Sequence, residues 1–297
     1  MEPYRGRFAP SPSGGLHFGS LVAAVGSYLE AKRRGGEWLL RMEDLDPPRE
    51  QPGAADAILR TLEACGMGWD GPPLYQSRRG GAYRAALAQL EAQGMVYACG
   101  CSRREIADSS LGPDGARIYP GTCRMGLAPG KAPRAMRLRV DEAVIAFEDM
   151  LQGPIRQDLA AEVGDFVLQR ADGPYAYQLA VVVDDGEQGI TDVVRGTDLL
   201  DSTPRQIYLQ RLLGLPTPRY LHLPAAVNAA GEKLSKQTLA PPVDACDPVP
   251  ALAQVMDFLG QAPPVQLARA SLAEFWQWAL AHWDAQHIPH RRSLPAP

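Results

Sequence analysis

Lysine is almost missing from this chain. Of 30 cationic side chains only those at 32, 131, 233 and 236 are lysine, and two of these fall in one short segment, GEKLSK at 231–236. Where arginine serves nearly everywhere else, lysines kept together in a loop ask for a reason. Net positive charge is missing too: 34 acidic residues leave a formal charge of −4, which excludes a protein that grips phosphates over its whole surface and leaves only a local basic groove. The five cysteines, at 65, 99, 101, 123 and 246, are too few and too uneven for a disulfide framework in a chain of 297 residues. No apolar run approaches the roughly 18 residues of a membrane span, and the opening MEPYRGRFAP has no apolar signal core. The expectation is a cytoplasmic protein with no membrane partner. Internal repeats and low-complexity blocks are absent as well.

What is present is an ordinary globular composition, 45% hydrophobic and 22% charged, with length for about two domains. A strand is expected near 6–9, then a Pro/Ser/Gly turn, then a helix over 19–34 with Leu21, Val25 and Leu29 on one face. A strand at 38–42, an acidic loop and helices over 54–66 and 81–94 follow. Strand, glycine turn, helix and strand make half of a doubly wound nucleotide-binding sheet. From 96 the pattern turns irregular and strand-rich, as in an inserted domain. The apolar run at 179–183 suits a buried parallel strand, with a second strand at 190–194, and Thr203, Pro204 and Gln206 read as a capping-box helix start. A Pro-rich linker at 239–250 leads to two helices, 251–259 and 272–283, whose Trp276, Trp278 and Trp283 suit a core face better than a base-stacking platform. The expected fold is α/β: a Rossmann-type catalytic domain in two halves, 1–95 and 176–238, split by an insertion at 96–175 and followed by a small helical region at 239–297.

Three segments carry chemistry. RFAPSPSGGLHFGS at 7–20 places His17 and several small residues where a strand gives way to a helix, a turn whose backbone N–H groups suit phosphates. KLSKQ at 233–237 sets two ammonium groups three positions apart around Ser235, suited to a loop that meets a pyrophosphate as charge moves onto it. Cys99, Cys101 and Cys123 offer three soft ligands, with Tyr119, a nearby aspartate or water as the fourth.

In this order, the first two segments resemble the HIGH and KMSKS signatures of class I aminoacyl-tRNA synthetases. LLRMEDLD at 39–46, YAYQLAVVVDD at 175–185 and VVRGTDLL at 193–200 narrow the resemblance, over roughly 5–240, to the glutamate and glutamine branch. One departure is visible: Ser20 stands where HIGH has its second histidine. HFGS, the cysteine set and the short stretch after the second signature resemble the glutamyl-queuosine tRNA(Asp) synthetases. That resemblance implies contacts to L-glutamate from Arg7, Phe8, Ala9, Pro10, Ser11, Glu43, Tyr177 and Arg195, the two arginines reading its side-chain carboxylate and Glu43 its ammonium. It implies ATP contacts from Gly15, His17, Gly19, Ser235 and Lys236, and catalytic roles for His17, Lys233 and Lys236. It further implies one structural Zn2+ in the insertion on Cys99, Cys101, Tyr119 and Cys123, Mg2+ travelling with ATP, and a monomer. The implied reaction is tRNA-independent formation of glutamyl-adenylate, then transfer of glutamate to the queuosine base in the anticodon of tRNA(Asp). A minimal synthetase charging the acceptor end is the nearest rival. An idle tRNA-binding paralogue is another, and the retained His17, Glu43, arginines and lysines argue against it.

Overall fold

The structure, a computed structural model, describes residues 3–113, 115–141, 143–228, 230–234 and 242–297. The opening alternation folds as β1 (Arg5–Phe8), α1 (Phe18–Arg33) and β2 (Glu37–Met42), with Arg5 opposite Glu37 and Phe8 opposite Leu40 in a parallel pair. Leu21, Val25 and Leu29 of α1 are fully buried, as their helical spacing requires. Between α1 and β2 the chain passes so close to the first strand that a Cβ on Gly36 would stand 2.4 Å from the Tyr4 carbonyl oxygen, so only glycine fits. After α2 (Ala54–Ala64), the short β3 (Leu74–Tyr75) adds in parallel to β2, and α3 (Gly80–Ala92) follows.

The segment expected as one insertion is divided. β4 (Val96–Cys99), β5 (Ala135–Leu138) and, later, β8 (Val167–Gln169) form an antiparallel sheet that carries the cysteines at one end. Between them, β6 (Val144–Asp149) and β7 (Gly153–Asp158) make a hairpin, with α4 (Leu159–Glu162) after it, and this hairpin joins a different sheet. There β6 lies parallel to β10 (Arg219–Leu223), which pairs in parallel with β9 (Asp192–Gly196), giving the order β7-β6-β10-β9. Thr191, just before β9, donates its N–H to the Arg5 carbonyl at 2.9 Å and accepts the Arg5 N–H on its hydroxyl at 2.8 Å. The two parallel arrays are thereby stitched side by side.

The 179–183 run is not a strand. It lies in α5 (Tyr177–Glu187), where every residue from Leu179 to Asp185 is buried. A helix enclosed on all sides loses its polar face, and five apolar residues in a row then look the same as a central strand. The helix start at 203 is correct but not its cap: in α6 (Thr203–Leu213) neither side chain closes a capping box, because Thr203 and Gln206 turn inward onto Arg195.

β11 (Ala225–Val227), α7 (Val249–Phe258), α8 (Leu272–His282) and β12 (Ser293–Pro295) complete the chain, β12 pairing in parallel with β11. The last helices are part of the main core. Trp283 is fully buried against α1 and donates its indole N–H to Glu30 at 2.8 Å; Trp276 donates to the Cys65 carbonyl at 2.8 Å; Trp278 stacks on His282. Among the described residues no helix is long and apolar enough to cross a membrane.

Candidate active site

The carboxyl ends of β1, β2 and β9 open onto one cleft of about 1030 Å³, the position where parallel α/β sheets hold ligands. Arg7, Phe8, Ala9, Pro10, Ser11, Gly15, His17, Gly19, Glu43, Tyr177, Arg195 and Lys233 all line it. Ser235 and Lys236 lie outside the described residues. Phe8 turns its ring into the core, stacked on Trp38 at 6.1 Å, so it meets the cleft only at its margin. The loops after β1 and β2 are tied by the Glu43 N–H, which donates to the Pro10 carbonyl at 3.0 Å.

His17 caps α1. It adopts an extended backbone, accepts the Ser20 N–H on Nδ1 at 3.4 Å, and has the Ser20 hydroxyl 3.1 Å from Nε2. The serine that replaces the expected second histidine therefore orients the first. A Cβ on Gly19 would lie 3.4 Å from this ring and 3.7 Å from the Leu234 carbonyl oxygen, so the lysine segment runs directly against the helix start. Lys233 pairs with Asp198, in the loop after β9. The N-terminus of a four-turn helix, with no acidic side chain in its first turn, and Lys233 beside it thus line the same cleft.

Beneath the cleft floor four charges share one buried network. The Asp185 carboxylate accepts from Arg7 Nε at 3.1 Å and Nη2 at 3.3 Å and pairs with Arg41 Nη1 at 2.8 Å; Arg41 Nη2 reaches Glu43 at 3.4 Å. Burial pushes the Asp185 carboxyl up, but Arg41 and Arg7 outweigh it and hold it below the ordinary carboxylate value. Glu43 goes the other way: burial dominates its arginine neighbours and raises its pKa.

Arg195 differs from Arg7. It too is buried, yet among the described residues its partners are all neutral: Nε donates to His222 Nε2 at 3.0 Å, and Nη2 donates to Thr203 and to Gln206, each at 2.8 Å. Among the described residues Nη1 meets the Tyr177 hydroxyl, at 3.5 Å. In both arginines the edge formed by Nε and Nη2 is spent on protein, and both residues line the cleft. Behind Arg195, His222 Nδ1 lies 2.6 Å from Asp149 Oδ2. Burial lowers the His222 pKa to about 4, so the ring is neutral near pH 7. Burial opposes ionisation of Asp149, but its bond to His222 outweighs that and lowers its pKa.

Cys99, Cys101 and Cys123 bring their sulfurs within 4.8 Å of one another. Cys101 and Cys123 are 3.6 Å apart, and the Tyr119 hydroxyl is 3.4 Å from the sulfurs of Cys99 and Cys101. A tetrahedral zinc site with bonds near 2.3 Å to sulfur needs sulfurs roughly 3.8 Å apart and an oxygen ligand roughly 3.5 Å from each. The 3.6 Å between Cys101 and Cys123 and the two 3.4 Å distances to the Tyr119 hydroxyl agree with that figure. Burial raises the Cys99 thiol, but the Tyr119 hydroxyl and Arg137 outweigh it and bring it down to about 7.

Arg41, Asp185, Asp149 and His222 were not anticipated. The first two stand inside segments already singled out, LLRMEDLD and YAYQLAVVVDD; His222, a lone histidine in YLHLP, gave no signal that it backs an arginine.

A family model described as "tRNA synthetases class I (E and Q), catalytic domain" matches residues 4–247. Among curated proteins, a Glutamyl-Q tRNA(Asp) synthetase of Aromatoleum aromaticum is 60% identical over 99% of this chain and 93% of its own, and one of Chromobacterium violaceum is 61% identical over 96% and 95%. Among solved structures, a glutamate-tRNA synthetase from Elizabethkingia anophelis superposes with a TM-score of 0.80 at 26% identity, covering 99% of this chain and 68% of the other. A glutamate tRNA ligase from Elizabethkingia meningosepticum, solved in complex with its amino acid, matches equally, at 0.80 and 26%, over 100% and 67%.

Proposed function

This chain belongs to the Glutamyl-Q tRNA(Asp) synthetases, within the class I tRNA synthetases of the E and Q branch, and on that premise we propose how its residues carry the reaction. The enzyme activates L-glutamate with ATP and transfers it to queuosine in tRNA(Asp). In the first step a carboxylate oxygen of glutamate attacks the α-phosphorus of ATP, the bond to the β-phosphate oxygen breaks, and pyrophosphate leaves. No enzyme nucleophile is needed. The protein's work is to place the two substrates in line and to meet the charge that shifts onto the pyrophosphate.

One observation carries the reading: a buried guanidinium, Arg195, whose described partners are all neutral, lines the same cleft as the N-terminus of α1 and Lys233. A buried cation whose hydrogen-bond partners are neutral is costly alone and favourable once an anion arrives beside it. Arg195 Nη1, Arg7 Nη1 and the Tyr177 hydroxyl receive the side-chain carboxylate of glutamate. Glu43 takes its ammonium, which returns a counter-charge to a carboxyl that burial disfavours. The phosphates, bringing Mg2+ with them, lie at the start of α1, where Gly15 and Gly19 leave room beside His17. Lys233 leaves Asp198 for the pyrophosphate, joined by Lys236 and Ser235. Residues 1–95 and 176–238 act as the two catalytic halves, and 239–297 braces the first.

We also assign one structural zinc to Cys99, Cys101, Tyr119 and Cys123, where it ties β4 to the 119–123 turn. Elemental analysis of the purified protein should find about one zinc per chain. Cys101→Ser should lower that content and lower the Tm by roughly 5–10 °C; metal-free protein of unchanged Tm would retire the assignment.

The activity is tested in two stages. With glutamate and no tRNA, the enzyme should exchange labelled pyrophosphate into ATP. With tRNA(Asp), labelled glutamate should transfer to the queuosine-bearing form and not to the unmodified one. Charging of the terminal ribose of tRNA(Glu) instead would decide for an acceptor-end enzyme, and silence in both assays for an idle one.

A further inference from the structure

The site above accounts for Arg195 but not for what stands behind it. His222 lies on β10, one strand away from Arg195 on β9, and the two are register partners in a parallel pair. Asp149 ends β6 on the far side of β10. All three side chains are buried, and they form one line: Asp149 Oδ2 to His222 Nδ1 at 2.6 Å, then His222 Nε2 to Arg195 Nε at 3.0 Å. Each bond fixes the direction of the next. An arginine Nε–H can only donate, so His222 Nε2 must accept, and the proton of the neutral ring must sit on Nδ1. Only an acceptor beside Nδ1 is compatible with that tautomer. Asp149 supplies it, and its other oxygen is held by the N–H groups of Leu151 at 3.1 Å and Gln152 at 2.8 Å, so the carboxylate cannot rotate away.

We propose that Asp149 and His222 are positioning residues for glutamate recognition: they select the histidine tautomer that holds the Nε edge of Arg195, so that Nη1 is the nitrogen presented to the substrate carboxylate. The inference rests on the reading of Arg195 as a glutamate contact and extends it two residues into the sheet. Thr203 and Gln206 hold Nη2, and neither can replace the histidine, because both grip the other corner of the same planar group. Without the Nε bond the guanidinium is held at Nη2 alone, and the bearing of Nη1 is less closely fixed.

Two substitutions at one position separate this role from simple packing. A glutamine amide at 222 reaches the place of Nε2 and can accept from Arg195; an asparagine amide reaches only the place of Nδ1 and can bond only Asp149. In glutamate-dependent pyrophosphate exchange, His222→Asn should raise the KM for glutamate roughly 10- to 100-fold, His222→Gln by much less, and neither should move the KM for ATP. If the histidine serves only to fill space and satisfy Asp149, the order of the two variants reverses.

Asp149→Asn is the second arm and changes no volume. Its carbonyl must still receive the Leu151 and Gln152 N–H groups, so its NH2 faces Nδ1 and the ring proton moves to Nε2, against the Arg195 Nε–H. The expected result is a glutamate KM raised about tenfold or more, with ATP KM held, and 15N chemical shifts of His222 reporting the exchanged tautomer. A folded Asp149→Asn variant with a glutamate KM within twofold of wild type, or with glutamate and ATP constants moving together, overturns the proposal. Wild-type exchange activity, measured in the same series, tests the underlying reading separately.

Discussion

Replacing Arg195 by methionine should reduce kcat/KM for glutamate in pyrophosphate exchange by roughly 100-fold or more while leaving the Tm unchanged or slightly higher. The two halves of that expectation have one cause. Arg195 is buried with only neutral hydrogen-bond partners among the described residues, the nearest carboxylate along its bonds being Asp149 behind His222, so its charge is a cost to the folded protein that falls when a carboxylate binds. Removing one partner of a buried, hydrogen-bonded charge pair typically costs about 2–5 kcal/mol of binding. In the free enzyme the losses are smaller: the Thr203 hydroxyl, already 3.2 Å from His222 Nε2, can turn to donate to it, and Gln206 keeps Gln178 as a partner. A Tm that falls steeply together with activity would mean that Arg195 is a structural cation, and the carboxylate pocket would have to be sought elsewhere.

Asp185→Asn should do the opposite, damaging the fold first. The substitution keeps the shape but takes the negative charge from between Arg7 and Arg41, both buried, leaving Glu43 to face two guanidinium groups from one side. Breaking a buried ionic group in this way costs about 3–5 kcal/mol, a fall of roughly 10 °C in Tm for a protein of this size. The pH dependence carries a definite sign. Because the native environment depresses the Asp185 pKa, its contribution is fully present above the ordinary carboxylate value of 3.8 and is lost as pH falls through the depressed native value. Glu43, raised by burial, opposes this: its charged form disfavours the fold, and protonating it as pH falls relieves that cost. Measured from pH 7 down to pH 3, the Tm difference between wild type and Asp185→Asn should therefore shrink. A difference that stays constant would show that the asparagine acts through packing.

The parts of the site that were legible in the sequence are those marked by local pattern or composition. The segment at 7–20 reads as a strand giving way to a helix, and Lys233 stands out in an arginine-rich chain; both line the cleft. Helices with one wet face were legible for the same reason, their period surviving in the sequence. The 179–183 run was not, because a helix packed on every side carries no period to read. Nor were the partners of the arginines. Arg7 meets Asp185 from far along the chain, and Arg195 meets His222 across a strand pair whose register no local pattern discloses. Thr203 and Gln206 illustrate the same limit: their spacing fits a capping box, and only the presence of a buried guanidinium nearby turns both away from the helix start. The reading of Lys236 rests on residues outside those described.

The β6–β7 hairpin makes the middle of this chain something other than a detachable cassette. It interrupts the cysteine-bearing sheet in sequence but belongs by hydrogen bonding to the sheet of β9 and β10, and its first strand ends in Asp149. A chimera that exchanged the whole of 96–175 with that of a relative would import a foreign aspartate strand beneath the amino-acid pocket. A graft meant to swap only the cysteine-bearing part must splice on both sides of 144–158 and leave that hairpin native.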